Sequence, residues 1–296
     1  KLKEQSGFQI NNFQSDITLD STHARLADLD LQTGHSRISK DLALRYTSWA
    51  DLTDNLDAVE LDLDIDNTRI GMRDALFFAP DLADNPSFRK IANSTLRLDG
   101  RAQGRLDNIN IQQLQLAGLQ GTAVNVSGNV RNAMDPDRLS MNLNINRMAT
   151  TRTDILALAP PGTIPPEIRI PNNLSMTGRY SGTLTNFDLN GAIGSSFGNL
   201  NAVVDMNEGP AGAEPFRATV STSGFDLKQL FTEDYGVGRV AFEATAQGTG
   251  LSPETMRADV KARIKEANYN NYAYNNVDVD ARIVRNLYQV AARAPD

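Results

Sequence analysis

Leu96-Arg97-Leu98-Asp99-Gly100-Arg101-Ala102-Gln103-Gly104-Arg105-Leu106-Asp107-Asn108-Ile109 is a phrase that the chain writes again as Leu174-Ser175-Met176-Thr177-Gly178-Arg179-Tyr180-Ser181-Gly182-Thr183-Leu184-Thr185-Asn186-Phe187. Both read apolar-x-apolar-x-Gly-Arg-x-x-Gly-x-Leu-x-Asn-apolar. A weaker third copy runs from Val240 through Phe242, Ala244 and Ala246 to Gly248. The alternation makes each copy a half-buried strand, and its glycines mark a bend or a close approach of two backbones. The interval between the first two copies is longer than that between the last two, so the repeat is degenerate, with loop insertions. A repeat of strands without catalytic side chains points to architecture more than to chemistry.

The length of 296 residues suits one large β domain or two smaller ones. Hydrophobic residues are 40%, enough for a core, but aromatics are only 6%, so the apolar content is mainly aliphatic. A net charge of −7 argues against electrostatic binding to nucleic acid or to an anionic membrane surface. There is no cysteine, which removes disulfides and thiol chemistry. No stretch approaches the roughly 18 consecutive apolar residues of a spanning helix. The chain opens Lys1-Leu2-Lys3 and reads as a fragment of something longer.

From Phe8 onward the text is strand and turn. Val59-Glu60-Leu61-Asp62-Leu63-Asp64-Ile65-Asp66 alternates strictly between aliphatic and acidic residues, which predicts one buried and one wet face. Leu139 to Asn146 does the same. Met72 to Phe78 predicts a short helix, with Pro80 and Pro86 expected to interrupt it. Asp154 to Ala159 and Phe225 to Phe231 predict one or two helical turns each. Met134-Asp135-Pro136-Asp137 reads as a turn. Ala258 to Ile264, Val277 to Ile283 and Leu287 to Val290 are predicted strands. The expected division is a first β block over 1–159, a proline-rich loop over 160–172 and a second β block over 173–296, together forming one groove. With a strand and a turn every 8 to 12 residues or so, roughly 18 to 24 strands are expected. So few helices cannot cover so many one-sided strands, so the apolar face must be buried against itself in a sandwich, a barrel or a folded-over trough.

The motifs that carry chemistry elsewhere fail on their context. Gly194-Ser195-Ser196-Phe197-Gly198 fits the nucleophile elbow, but no histidine follows it, and the surroundings read as a hairpin. Asp62-Leu63-Asp64-Ile65-Asp66 begins like a calcium loop, yet Asn67 and Arg73 stand where glycine and glutamate are required. His23 and His35 are isolated from any ligand cluster. The lone Gly236-Val237-Gly238 is not followed by a helix. Tyr269, Tyr272 and Tyr274 among asparagines suit a sugar-binding surface or, more simply, a turn with amphipathic side chains. No acid, base or nucleophile constellation emerges, so an enzyme is not expected, nor any metal or cofactor.

Three features together resemble a known family: strand text with Gly-x-x-x-Gly repeats, the Phe225-Asp226-Leu227-Lys228-Gln229-Leu230 segment between strand blocks, and Tyr269-Asn270-Asn271-Tyr272-Ala273-Tyr274-Asn275-Asn276-Val277 before a terminal strand. Leu29 to Ile38 followed by Leu42 to Tyr46 has the same flavour. The chain resembles the AsmA-like family, in particular the TamB-type translocation and assembly module in its Bacteroidetes branch. That resemblance covers most of the chain and implies an all-β fold, a long twisted antiparallel sheet of degenerate strand repeats curled into a groove (a β-taco) with an aliphatic interior and a few short helices. It also implies a mid-chain fragment of a protein anchored in the inner membrane outside this segment and lying in the periplasm of a Gram-negative bacterium. The function implied is phospholipid transport between the two membranes. A role in assembling outer-membrane proteins, with a partner of the BamA/TamA type, is also ascribed to the family. The resemblance carries over no active-site residue.

On that reading the groove lining, in contact with phospholipid acyl chains, is expected at Val59, Leu61, Leu63, Ile65, Leu96, Leu98, Val124, Val126, Leu139, Met141, Leu143, Ile145, Val279, Ala281 and Ile283. The same residues would equally make an ordinary sandwich core. In that case exposed edges would bind outer-membrane assembly partners or client strands by strand addition.

Overall fold

The alternating segments are strands in a computed structural model that describes residues 2–3, 7–78, 80–133, 135, 137–159, 164–252, 254–270 and 272–294. Strands hold 62% of the residues and helices 12%, so no helical layer covers the sheets. The chain divides into two compact units, Lys1–Thr163 and Ile164–Asp296.

In the first unit β1 (Leu2–Lys3) and β2 (Gln9–Ile10) form a small ladder. An antiparallel meander follows in strict chain order. Its strands are β3 (Asn12–Leu19), β4 (His23–Gln32), β5 (Arg37–Arg45), β6 (Glu60–Gly71), β7 (Thr95–Arg105), β8 (Asn108–Gly118), β9 (Thr122–Arg131) and β10 (Ser140–Thr151). Between them lie α1 (Asp51–Asp54), α2 (Met72–Phe78) and α3 (Pro86–Ile91), and α4 (Arg152–Leu158) follows β10. The second unit is another antiparallel meander in chain order. It contains β11 (Asn173–Gly182), β12 (Phe187–Ser195), β13 (Gly198–Met206), β14 (Pro215–Asp226), α5 (Leu227–Leu230), β15 (Val237–Thr249), β16 (Arg257–Tyr269), β17 (Tyr272–Val284) and β18 (Leu287–Arg293). Neither meander closes into a barrel, since the first and last strands of each do not pair with one another. The expected all-β architecture of degenerate, antiparallel strand repeats is what the chain adopts.

The three copies of the opening phrase are β7, β11 and β15, each the first of four strands. A helix follows the fourth strand in three such quartets: α2 after β6, α4 after β10 and α5 after β14. The repeating unit is thus four strands and a helical cap. The second glycine of the phrase has a physical reason. Gly104 and Gly182 sit at φ +125° and +129°, and a Cβ on either would collide with the carbonyl oxygen of Asn108 or Asn186, at the start of the next strand or just before it.

The helices are short and locally capped. Thr151 accepts from the Asp154 amide at 3.3 Å, and Asp226 accepts from the Gln229 amide at 3.3 Å. Pro86 does not interrupt a helix as its sequence suggested. Asn85 caps the Ser87 and Phe88 amides at 2.9 and 3.1 Å, and Pro86 occupies the first turn of α3, where its missing N–H costs nothing. Residues 134, 136 and 160–163, within the predicted turn and proline-rich loop, lie outside the described residues. A buried cluster in the second unit gathers Phe197, Phe225, Val240 and Ala267, with Leu227 and Leu230 of α5 packed against it.

Candidate functional site: apolar rows across the sheets

In an antiparallel ladder directly opposed residues share a face, so the register reads out each face row by row. In the first unit Ile17, Leu26, Leu42, Leu63, Ala102, Ile111, Gly128 and Leu143 stand opposite one another from β3 to β10. Beside them runs a second row of Leu19, Ala24, Leu44, Leu61, Gly104, Ile109, Val130 and Met141. Shorter rows add Ile65, Gly100, Leu114, Val126 and Ile145, then Leu98, Leu116, Val124 and Met148.

The second unit repeats the pattern independently. Gly178, Gly191, Ala202, Val220, Ala244, Ala262, Val279 and Ala292 form one row. Tyr180, Leu189, Val204, Ala218, Ala246, Val260, Ala281 and Val290 form the next. A third runs from Phe187 through Met206, Phe216 and Ala258 to Ile283 and Tyr288.

Most of these side chains are half-buried, and in the two units only Val126, Gly191, Ala202 and Ala258 of these rows are buried. A dry sandwich would bury such rows almost completely. Their faces therefore keep apolar surface accessible, outside the ends covered by helices.

The opposite face is polar and locked by charge. Asp64 lies 2.9 Å from Lys40 Nζ and 3.2 Å from Arg101 Nε on the neighbouring strands. The Lys40 hydrogen bond, with the Arg101 charge, holds the Asp64 carboxyl below its ordinary value. Arg37 Nε does the same for Asp30 at 2.7 Å. In the second unit Glu243, Arg263, Asp278 and Arg293 oppose one another with alternating sign from β15 to β18. Lys265, 2.5 Å from Glu243, lowers the pKa of that carboxyl. These pairs penalise a one-residue slip, which would turn the aliphatic rows to water. An open depression of about 620 Å³ on this face is bordered by Glu243, Lys261, Arg263, Asp278 and Asp280, charges that are already opposite one another.

Of the residues expected to line a groove, Leu61, Leu63, Ile65, Leu96, Leu98, Val124, Val126, Met141, Leu143 and Ile145 are brought onto one face of the first unit. Val279, Ala281 and Ile283 fall on the apolar face of the second. Val59 precedes β6, packs where it is only 1% exposed and offers no free surface. Leu139 precedes β10 and belongs to the connecting turn. Sequence reading missed Leu42, Leu44, Leu114 and Leu116, among others. A residue-by-residue parity count fails at β-bulges, such as the one that separates Ile111 from Leu114 on β8, and the three-residue step between two apolar pairs was the available signal.

The chemical motifs stay apart. Ser195 donates to the Gly198 carbonyl at 2.9 Å and accepts from the Phe197 amide at 3.1 Å, inside the β12–β13 hairpin. His23 sits 3.3 Å from Asp20 in the β3–β4 turn, while His35 lies in the β4–β5 turn. Among the described residues no group of three metal-ligating side chains converges, and no helix is long and apolar enough to cross a membrane. Comparison of the chain with protein-family models, with curated proteins and with solved structures finds no match in any of the three.

Proposed function

We propose that this chain is a segment of a lipid conduit, holding phospholipid acyl chains on the apolar rows of its sheets between the inner and outer membranes of a Gram-negative envelope. The observation that carries this reading is the set of aliphatic rows that crosses the meander from β3 to β10 while staying mostly half-buried. The resemblance to the TamB-type module supports the same function and its periplasmic setting.

The energetics suit the task. Two acyl chains contain roughly 30 methylenes, and exposing them at about 0.8 kcal/mol each costs on the order of 24 kcal/mol. An aliphatic face removes a large share of that cost. Its contacts are non-directional, so a chain can slide along a row without breaking a hydrogen bond. Glycine within the rows marks close approach of the strands, since a Cβ on Gly178 would meet the Asn190 carbonyl and one on Gly191 the Met176 side chain.

The chain, purified as it stands, should retain phospholipid in native mass spectrometry. Leu61→Asp, Leu98→Asp and Leu143→Asp variants should fold by far-UV circular dichroism and lose it. A folded wild type that carries no lipid and takes up no acyl probe would remove the reading.

A second reading, a scaffold that binds outer-membrane assembly partners by strand addition, draws on β18. Among the described residues that strand pairs with β17 alone, and Leu287, Tyr288 and Val290 on it are exposed. It is tested by capture of a β-strand peptide at that edge without any lipid.

A further inference from the structure

On the polar face of the first unit, Arg45, Glu60 and Arg105 oppose one another with alternating sign across β5, β6 and β7. Towards the other end of the same three strands the alternation breaks, and the opposed residues are Arg37, Arg69 and Arg97. Like charges directly opposite one another destabilise a sheet. Neighbouring strands lie about 4.8 Å apart, so the three arginines stand within about 10 Å of sheet. Their row continues through Ala117, Ala123 and Ala149, whose short side chains leave the guanidinium groups unblocked on that side.

The carboxylates beside the row are already engaged. Asp30 accepts from Arg37 Nε at 2.7 Å and from Gln32 Nε2 at 2.9 Å. Asp99, two residues along β7 from Arg97, accepts from the Asn67 amide at 2.6 Å. Among the described residues neither Arg69 nor Arg97 forms an ion pair, and both are exposed. Two residues beyond them Gly71 pairs with Thr95, and this pair borders a depression of about 180 Å³ together with His35, Arg73, Asn93 and Ser94. A Cβ on Gly71 would run into His35, so the glycine is what lets the β4–β5 turn form one wall. Arg73 Nε donates to Asn93 Oδ1 at 2.9 Å, which fixes a fourth guanidinium at the rim.

We propose that Arg37, Arg69 and Arg97, with Arg73 at the adjoining depression, form a binding site for a phosphate monoester. A carboxylate has two oxygens, which a single guanidinium fork occupies. A phosphate monoester offers three oxygens and up to two negative charges, so one group bridges arginines of adjacent strands and offsets their repulsion. The same chemistry is carried by a soluble phosphate ester and by the headgroup of phosphatidic acid. The net charge of −7 on the whole chain does not oppose it, because charges more than about 10 Å away are largely screened. The inference is independent of the lipid-conduit reading, since these arginines lie on the face opposite the aliphatic rows.

The test titrates inorganic phosphate into the 296-residue chain by isothermal titration calorimetry at fixed ionic strength. In parallel, vesicles of phosphatidylcholine containing phosphatidic acid are assayed by co-sedimentation. The wild type should bind at least one of these probes. Arg69→Gln and Arg97→Gln should each weaken that binding about tenfold, and the double variant should abolish it. Arg131→Gln removes a charge from the same face, where Arg131 opposes Asn108 and Ser140, and should bind as the wild type does. Far-UV circular dichroism checks the fold of each variant. Phosphate binding without sedimentation assigns the site to a soluble ester, and sedimentation that is lost in the double variant assigns it to a lipid headgroup. No binding of either probe by the folded wild type would overturn the proposal. Binding that survives the double substitution, or that Arg131→Gln weakens equally, would overturn it as well.

Discussion

Thr122 Oγ1 donates a hydrogen bond of 2.7 Å to Asp154 Oδ2 and so ties the first turn of α4 to the hairpin at the start of β9. Asp154 is only 2% exposed, and its other oxygen accepts from the Gln120 amide. Replacing it by alanine leaves the Gln120 amide without an acceptor and the Thr122 hydroxyl with Thr150 alone, at about 1–3 kcal/mol for each bond lost. Asp154→Ala should therefore lower the stability of the first unit by about 2–4 kcal/mol in urea unfolding. Asp154→Asn, which keeps an accepting oxygen, should cost clearly less.

The second glycine of the repeated phrase should resist substitution. Gly104→Ala or Gly182→Ala places a Cβ against a facing carbonyl at positive φ, and each should cost about 1–3 kcal/mol. Gly34→Ala, with open space around its would-be Cβ, should change thermal stability little.

The charge-locked face should show in the pH dependence. Asp64 has a folded-state pKa below its ordinary value because Lys40 and Arg101 favour the carboxylate. Its contribution is present above the ordinary aspartate range, about pH 4, and is lost as pH falls through the lowered folded value. Asp64→Asn should thus flatten the fall in urea midpoint below about pH 4 and lower the midpoint at neutral pH.

Truncations should separate the open rows from the closed core. Phe225→Ala, in the buried cluster, should cost about 3–5 kcal/mol. Leu42→Ala, in a half-buried row, should stay near 1 kcal/mol, because part of its surface is already wet. Equal losses would mean that the rows are packed as a core.

Much of the strand architecture was legible because a period of two is hard to mistake. Leu61, Leu63 and Ile65 alternate with Asp62 and Asp64, and they lie on one strand as read. The opening phrase located β7, β11 and β15, but not the period of four strands. The three intervening strands carry no shared phrase, and the connections between them differ in length. Val59 keeps the parity of β6, and its carbonyl accepts from the Leu106 amide, but it directly follows the helical turn Leu56–Ala58 and is buried. Bulges hid the rest of the rows. The step from Ile145 to Met148 skips the parity at an irregularity after Ile145, and Asn67 takes a positive φ between Ile65 and Thr68. Pro86 misled because the same residue stops a helix in its interior and opens one at its first turn.

The most direct test uses two adjacent positions and the absence of native cysteine. Leu143 lies in an aliphatic row and Asn142 beside it in a polar one. Leu143→Cys and Asn142→Cys variants, each carrying one fluorescent label, are titrated with phospholipid bearing a nitroxide on its acyl chain. If the apolar face holds acyl chains, the label at 143 is quenched saturably and the label at 142 is not. Equal quenching at both positions, or none at either in a folded protein, would contradict that claim.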